Sequence, residues 1–245
     1  MSIFKTGAKY YEIFSDSDIR LNREGPFLLD ALHQSQGLRV VDIACGTGLH
    51  AEFFAQNGAH VDAFDISDEM IEYARMNHSR PSINFYTGDM RKLSGGPWDL
   101  AICLGNSISV LSTNEDLRRT FKSVFSSLGP NGVFVIQILN YQAGAHQKPR
   151  HRIERKKLDN ADVVAVKNLV PHEDMTFLSL SFFALSGDEH ENIAETSVLK
   201  NWTQEELVSI AEDTGFSVEA VYGGYDRSDF NSEESNDLIC VFRKG

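Results

Sequence analysis

The segment whose reading decides the fold is VVDIACGTGLHAEFF, Val40 to Phe54. Val40 to Ile43 complete an apolar strand pattern that begins at Leu38, and HAEFFAQNG after it reads as a short helix stopped by Gly58. Between them Gly46-Thr47-Gly48 forms a tight turn at the C-terminal end of a strand, where open α/β sheets bind ligands. Without Cβ atoms the turn lets a ligand approach the backbone closely. Seventeen residues past Gly48, at the end of the next strand (HVDAFD), stands Asp65, whose carboxylate can accept hydrogen bonds from two ribose hydroxyls. A glycine turn paired with such an acid points to an adenosine-type cofactor.

The alternation continues outward from this unit. DEMIEYARMNH (Asp68 to His78) is helical, INFYTGD and WDLAICLG are strands, NEDLRRTFKSVFSSLG is a helix closed by Gly129, and GVFVIQILN is a fifth strand. Strand and helix in alternation imply a parallel sheet with right-handed crossovers and helices on both faces. After Asn140 the pattern changes: HQKPRHRIERKKL is basic, and DVVAVKNLV and MTFLSLSFFAL are rich in β-forming residues with no helix between them. Helical pattern returns at TQEELVSIAEDTG, where Thr203 and Glu206 make a capping box and Gly215 supplies the stop, and FSVEAVYG and DLICVFRK close the chain. The expected organisation is an N-terminal arm and cofactor-binding core over 1–140, an antiparallel β insertion over 141–201 that covers the substrate, and a helix with two strands over 202–245 that complete the core sheet.

Gly46-x-Gly48-x-x-Ala51 also satisfies the dinucleotide pattern G-x-G-x-x-G/A, so an NAD(P)-dependent oxidoreductase is an alternative. The acid inside the first strand separates the two. Asp42-Ile43-Ala44-Cys45-Gly46-Thr47-Gly48 resembles motif I of the class I S-adenosylmethionine-dependent methyltransferases. The resemblance runs in order through Asp65 as the ribose acid with Ile66 beside it, Gly88-Asp89-Met90 as the adenine stretch, and a fourth strand ending Cys103-Leu104-Gly105-Asn106-Ser107. Within the class, CLGNSISVL (Cys103 to Leu111) and LNY (Leu139 to Tyr141) look most like the glycine and sarcosine N-methyltransferase group, with sugar-amine N-methyltransferases next.

What this resemblance implies is a Rossmann-like α/β fold: a seven-stranded, mostly parallel sheet with its last strand antiparallel, helices on both faces, and an inserted antiparallel β lid. It implies S-adenosyl-L-methionine as cofactor, held by Tyr11, Arg20, Ala44, Gly46, Gly48, Asp65, Ile66, Asp89, Met90 and Leu104. Arg20 would fork onto the methionine carboxylate, with Arg23 as its competitor and Tyr10 as that of Tyr11; a solvated flank of a helix is the other reading of both arginines. Asn106, Ser107, Tyr141 and Tyr225 are the acceptor-binding candidates. Asn106 also reads as a helix cap, Tyr141 as a core tyrosine, and Tyr225 with Asp226 as turn residues. Where the glycine enzymes carry the Arg that grips the amino acid carboxylate, this sequence has Leu139, which argues against glycine as the acceptor.

A sulfonium methyl is already electrophilic, so alignment with a nucleophile supplies much of the rate and no general base is assigned. No H-E-x-x-H or clustered His/Asp set suggests a metal, which favours an amine nitrogen over a hydroxyl. A domain that binds the cofactor without turnover remains the other non-oxidoreductase reading. Cys45 reads as a small buried packing residue beside Gly46.

The chain has 245 residues and a formal net charge of −12, carried wholly by residues 171–245, with 4 basic against 16 acidic side chains. That balance argues against nucleic acid as a partner, and an acidic lid side would concentrate a cationic amine, although solubility explains the same charge. The basic run from Lys148 to Lys157 reads as a solvated strand face, with an anionic acceptor or RNA as its other uses. Three scattered cysteines and the lack of a signal-like or membrane-spanning apolar run lead to the expectation of a cytoplasmic enzyme acting on a small molecule, with its oligomeric state open.

Overall fold

The computed structural model describes residues 8–14, 17–158 and 160–245. The first seven residues of the expected arm lie outside them. In chain order the first part comprises α1 (Ala8–Tyr11), α2 (Ser17–Gln34), β1 (Arg39–Ile43), α3 (Leu49–Gln56), β2 (His60–Asp65), α4 (Asp68–Asn77), β3 (Ile83–Thr87), β4 (Trp98–Cys103), α5 (Asn114–Ser127) and β5 (Leu128–Leu139). Then come β6 (Arg150–Leu158), β7 (Ala161–His172), β8 (Met175–Ser186), β9 (Glu189–Lys200), α6 (Gln204–Thr214), β10 (Phe216–Tyr222) and β11 (Asp237–Lys244).

Seven strands form one sheet in the order β10-β11-β5-β4-β1-β2-β3. β1, β2, β3, β4 and β5 pair in parallel, and β11 runs antiparallel to both of its neighbours. β1 lies between β2 and β4, so the chain's winding reverses at its C-terminal end and opens a crevice there. The sheet is buried on both faces. Trp98, Phe121, Phe134, Trp202 and Phe242 pack on one side with α5 and α6, and Leu28, Phe54, Ile71 and Leu100 pack on the other with α2, α3 and α4. The Thr203–Glu206 capping box starts α6 and Gly215, at φ 108°, ends it.

Gly129 does not close α5. That helix ends at Ser127, and Leu128 is already extended and paired with Trp98. Register jumps from Trp98↔Leu128 to Leu100↔Val133, and Asn131 takes the left-handed turn at φ 59° within the intervening bulge. Pairing with β4 outweighs the glycine as the local determinant.

The insertion is a four-stranded antiparallel meander, β6-β7-β8-β9. The basic run is β6 and the acidic EHENIAETSVLK is β9; both are edge strands, whose charge hides them from a hydrophobicity pattern. One face of this sheet, through Val163, Ala165, Leu180, Phe182 and Ile193, packs on Tyr10 and Ile13 of the N-terminal arm. The arm is pinned further by Tyr10 Oη donating to Glu191 (2.6 Å) and Arg152 Nη1 donating to the Phe14 carbonyl (2.9 Å). No helix among the described residues is long and apolar enough to cross a membrane.

Candidate cofactor and acceptor site

The glycine turn between β1 and α3 opens onto a cleft at the crevice between β1 and β4. Tyr11, Arg20, Ala44, Gly46, Leu104 and Ser107, all expected site residues, line it. So do Glu12, Asp42, Thr47 and His50, which the sequence did not single out as ligand contacts. Gly46 sits at φ 55°, and a Cβ there would meet no protein atom within 4 Å, so the space above it is open to a ligand. Gly48 has another reason to be glycine: at φ 93°, a Cβ would stand 3.0 Å from the Phe85 ring and 3.2 Å from Ala74 Cβ. It lets α3 close onto β3 and α4 and does not line the cleft.

Asp65, at the end of β2, accepts from the backbone N–H of Gly46 at Oδ2 and from that of Ser67 at Oδ1, both at 2.9 Å. Each oxygen retains a lone pair, and burial raises the carboxyl above its ordinary value despite these bonds. Ile66, next in the chain, is 46% exposed, a large apolar side chain left open at the same edge. Asp89 is engaged by its own neighbour: it accepts from Arg91 N–H and holds the Arg91 guanidinium in a fork, and Arg91 also bonds Asp116. Met90, the first residue of the turn that Asp89 caps, is partly buried against the core.

On the opposite wall, Arg20 and Arg23 separate. Arg20 is three-quarters buried, and its Nη2 lies 3.2 Å from where a Gly105 Cβ would stand, which brings the guanidinium over the end of β4. Arg23 is largely exposed, over the Tyr225 ring. Both donate to Glu24, which is only 1% exposed and also bonds His50 Nε2 at 2.8 Å. Burial alone would raise the Glu24 carboxyl, but the His50 bond and the charges of Arg20 and Arg23 hold it down at about 2. Burial lowers His50, which keeps the imidazole neutral and donating at neutral pH. Glu24 and His50 are 26 residues apart, and no local sequence signal joins them.

Asp42 lines the cleft at its floor, with one carboxylate oxygen buried and without a partner among the described residues. Burial pushes it up to about 7. Cys45 is buried with its thiol pushed well above the ordinary value, an inert packing residue at the cleft wall.

At the end of β4, Asn106 sits at φ 71° and caps nothing with its side chain. Instead its Oδ1 accepts from the Leu139 N–H at 3.0 Å and its Nδ2 donates to Tyr141 Oη at 2.6 Å, tying the ends of β4 and β5 together. Ser107 Oγ donates to the Leu104 carbonyl at 2.7 Å and lines the cleft. Gln137 accepts from Gly105 N–H and donates to Asp237, a link the sequence reading missed. Tyr141 and Tyr225 do not line the cleft itself. Tyr225 is buried edge-on against Phe27, its hydroxyl without a hydrogen-bond partner among the described residues, while Asp226 serves its own turn by accepting from Ser228. Among the described residues, no group of three or more His, Cys, Asp and Glu side chains could hold a metal ion.

Residues 40–132 match the methyltransferase domain family. A glycine/sarcosine N-methyltransferase of Halorhodospira halochloris is 34% identical over 131 residues, 51% of this chain and 49% of that protein. A dTDP-4-amino-2,3,4,6-tetradeoxy-D-glucose N,N-dimethyltransferase of Saccharopolyspora spinosa is 26% identical over 201 residues, 78% of this chain and 76% of that protein. The chain thus spans about half the length of the first relative and three-quarters of the second. Among solved structures, an S-adenosylmethionine-dependent methyltransferase from Clostridium acetobutylicum ATCC 824 superposes with a TM-score of 0.80 at 19% identity, covering 97% of each chain.

The chain carries a methyltransferase domain over residues 40–132 on the fold of the class I S-adenosylmethionine-dependent methyltransferases. Its cleft fits that cofactor: open space over Gly46 for the backbone approach, the Arg20 guanidinium for a carboxylate, and an orphaned buried oxygen on Asp42 for an ammonium group.

Proposed function

We propose that this methyltransferase acts on a nitrogen of a small-molecule amine. S-adenosylmethionine, when bound, supplies a methyl group made electrophilic by its sulfonium. In this reading Arg20, Gly46 and Asp65 hold the cofactor, with Ile66, Met90 and Leu104 as its apolar contacts, Tyr11 over the cleft and Asp89 at the adenine end.

The observation that carries the choice of nitrogen is Ser107. Its hydroxyl hydrogen is spent on the Leu104 carbonyl, so its oxygen offers lone pairs to the cleft, where it can accept an N–H of a neutral amine and orient the nitrogen lone pair. The Asn106–Tyr141 pair fixes the backbone on which Ser107 stands. The names of the two relatives, both N-methyltransferases, support the same reading.

Incubation with S-adenosylmethionine and a panel of amines matched to alcohols tests it, with product mass and the carbon-13 shift of the new methyl as readouts. N-methyl products are expected. Turnover confined to the alcohols would overturn the choice of nitrogen.

A further inference from the structure

One face of the four-stranded sheet carries two cations that have no ion-pair partner among the described residues. Residues directly opposite on antiparallel strands point to the same face, so Arg152↔Lys167, Arg150↔Leu169 and Lys167↔Leu180 put Arg150, Arg152 and Lys167 on the face that also carries Val163, Ala165 and Phe182. This is the face that packs on the N-terminal arm. Arg152 is used there, by the Phe14 carbonyl and by Glu154.

Lys167 and Arg150 are not used. Both are partly buried, and among the described residues neither has an ion-pair or side-chain hydrogen-bond partner. Arg150 Nε is wholly buried without a partner, and the phenol of Tyr141 is among its neighbours. Among the described residues, the charges acting on Lys167 are the cations Arg152, Arg150 and Arg20, and its ammonium is pushed down from the ordinary value by burial and then by these neighbours. Lys167 is thus across the strand pair from Arg152 and next to Arg150 on the same face, and it lies within electrostatic reach of Arg20 on the cleft wall. Of the acids on this face, Glu154 bonds Arg152, Glu191 pairs with Lys9, and Glu195 stands opposite Leu180, a further strand away from Lys167. Arg150, Arg152 and Lys167 thus form a cationic cluster on β6 and β7 at one end of this face.

Desolvating cations without counter-charge is costly, and a ligand anion would remove the cost. We propose that Lys167 and Arg150 form an anion-binding site for a carboxylate or phosphate group of the methyl acceptor. With the reading above, on which the nitrogen but not the anion site depends, the substrate is an amine that carries a negative charge. Arg150 supplies a fork and Lys167 a point charge, and the group held there leaves the amine free to face Ser107.

The test titrates two charge-matched pairs, glycine against glycinamide and glucosamine 6-phosphate against glucosamine, into the protein with and without saturating S-adenosylhomocysteine. Binding is followed by NMR. Wild-type protein is expected to prefer the anionic member of at least one pair by about tenfold or more, the scale of one charge-assisted hydrogen bond. K167Q and R150Q should abolish that preference, with S-adenosylhomocysteine affinity unchanged, and K167R should retain it; the retained melting temperature of each variant guards against misfolding. Which pair responds separates a carboxylate from a phosphate. No preference in either pair, or a preference that survives both neutral variants, overturns the proposal. So does an equal loss of S-adenosylhomocysteine affinity, which would give these cations to the cofactor carboxylate. Glycolate and glucose 6-phosphate provide the separate control: if they bind with the same preference and accept the methyl where the amines do not, the anion site stands and the amine reading falls.

Discussion

Asp65 accepts a 2.9 Å hydrogen bond at Oδ2 from the backbone N–H of Gly46, nineteen residues before it, and so locks the end of β2 to the glycine turn after β1. One carboxylate both shapes the turn and presents its remaining lone pairs at the edge where a ribose would lie. Asp65→Ala is expected to weaken S-adenosylhomocysteine binding by about 1–3 kcal/mol, roughly 5- to 150-fold, from the lost charge-assisted bonds. Calorimetric titration measures it, and unchanged affinity would place the ribose elsewhere.

The two glycines of the turn should fail differently. Gly48→Ala forces a Cβ to 3.0 Å from Phe85 at φ 93°, so it should cost stability by about 1–3 kcal/mol, read from urea unfolding. Gly46→Ala meets no protein atom and carries only the left-handed penalty of about 1–2 kcal/mol, yet its methyl fills ligand space. It should reduce S-adenosylhomocysteine affinity by a larger factor than Gly48→Ala does at equal stability loss.

Glu24 makes stability depend on acid pH. Its folded value of about 2 lies below the ordinary value of 4.5, so the stabilisation from its ionised form is fully present above about pH 4.5 and is lost as pH falls toward 2. Glu24→Gln leaves Arg20 and Arg23 without their counter-charge, and should destabilise the protein at pH 7 by about 3–5 kcal/mol. Its unfolding free energy should also be flatter than the wild-type curve between pH 4.5 and 2. Parallel curves would remove Glu24 as the source.

Asp42 gives cofactor binding its own pH dependence. Burial raises its carboxyl to about 7, against the pull of Arg20 and with the repulsion of Asp65. An ammonium group placed against it favours the ionised form, so binding should release a proton near pH 7 and tighten as pH rises through 7. Calorimetry in buffers of different ionisation enthalpy counts that proton, and Asp42→Asn should abolish its release. The stability sign is opposite. A raised carboxyl destabilises the folded state as pH climbs from about 4 to 7, so the Asn variant should gain stability relative to wild type at pH 8.

The cofactor half was legible because its signals are local: a strand, a glycine turn and an acid at the end of the next strand lie within 26 residues, Val40 to Asp65. The parallel pairing of β1 to β5 followed from the alternation. What escaped depends on partners distant in sequence. Glu24 is an ordinary helical acid until His50 and Arg20 converge on it. The role of the basic run is decided by strand register: within β6, Arg150 faces inward and His151 outward, a difference of one residue that only pairing with β7 settles. Asn106 and Tyr141 were both singled out as acceptor contacts, and their bond to each other, 35 residues apart, was not visible in either motif.

The most direct test of the account is calorimetric titration of the protein with S-adenosylhomocysteine, compared with NADH. The account predicts saturable binding of one S-adenosylhomocysteine per chain, weakened by Asp65→Ala, and no binding of NADH. Absence of S-adenosylhomocysteine binding up to millimolar concentration, with saturable NADH binding in its place, would contradict it.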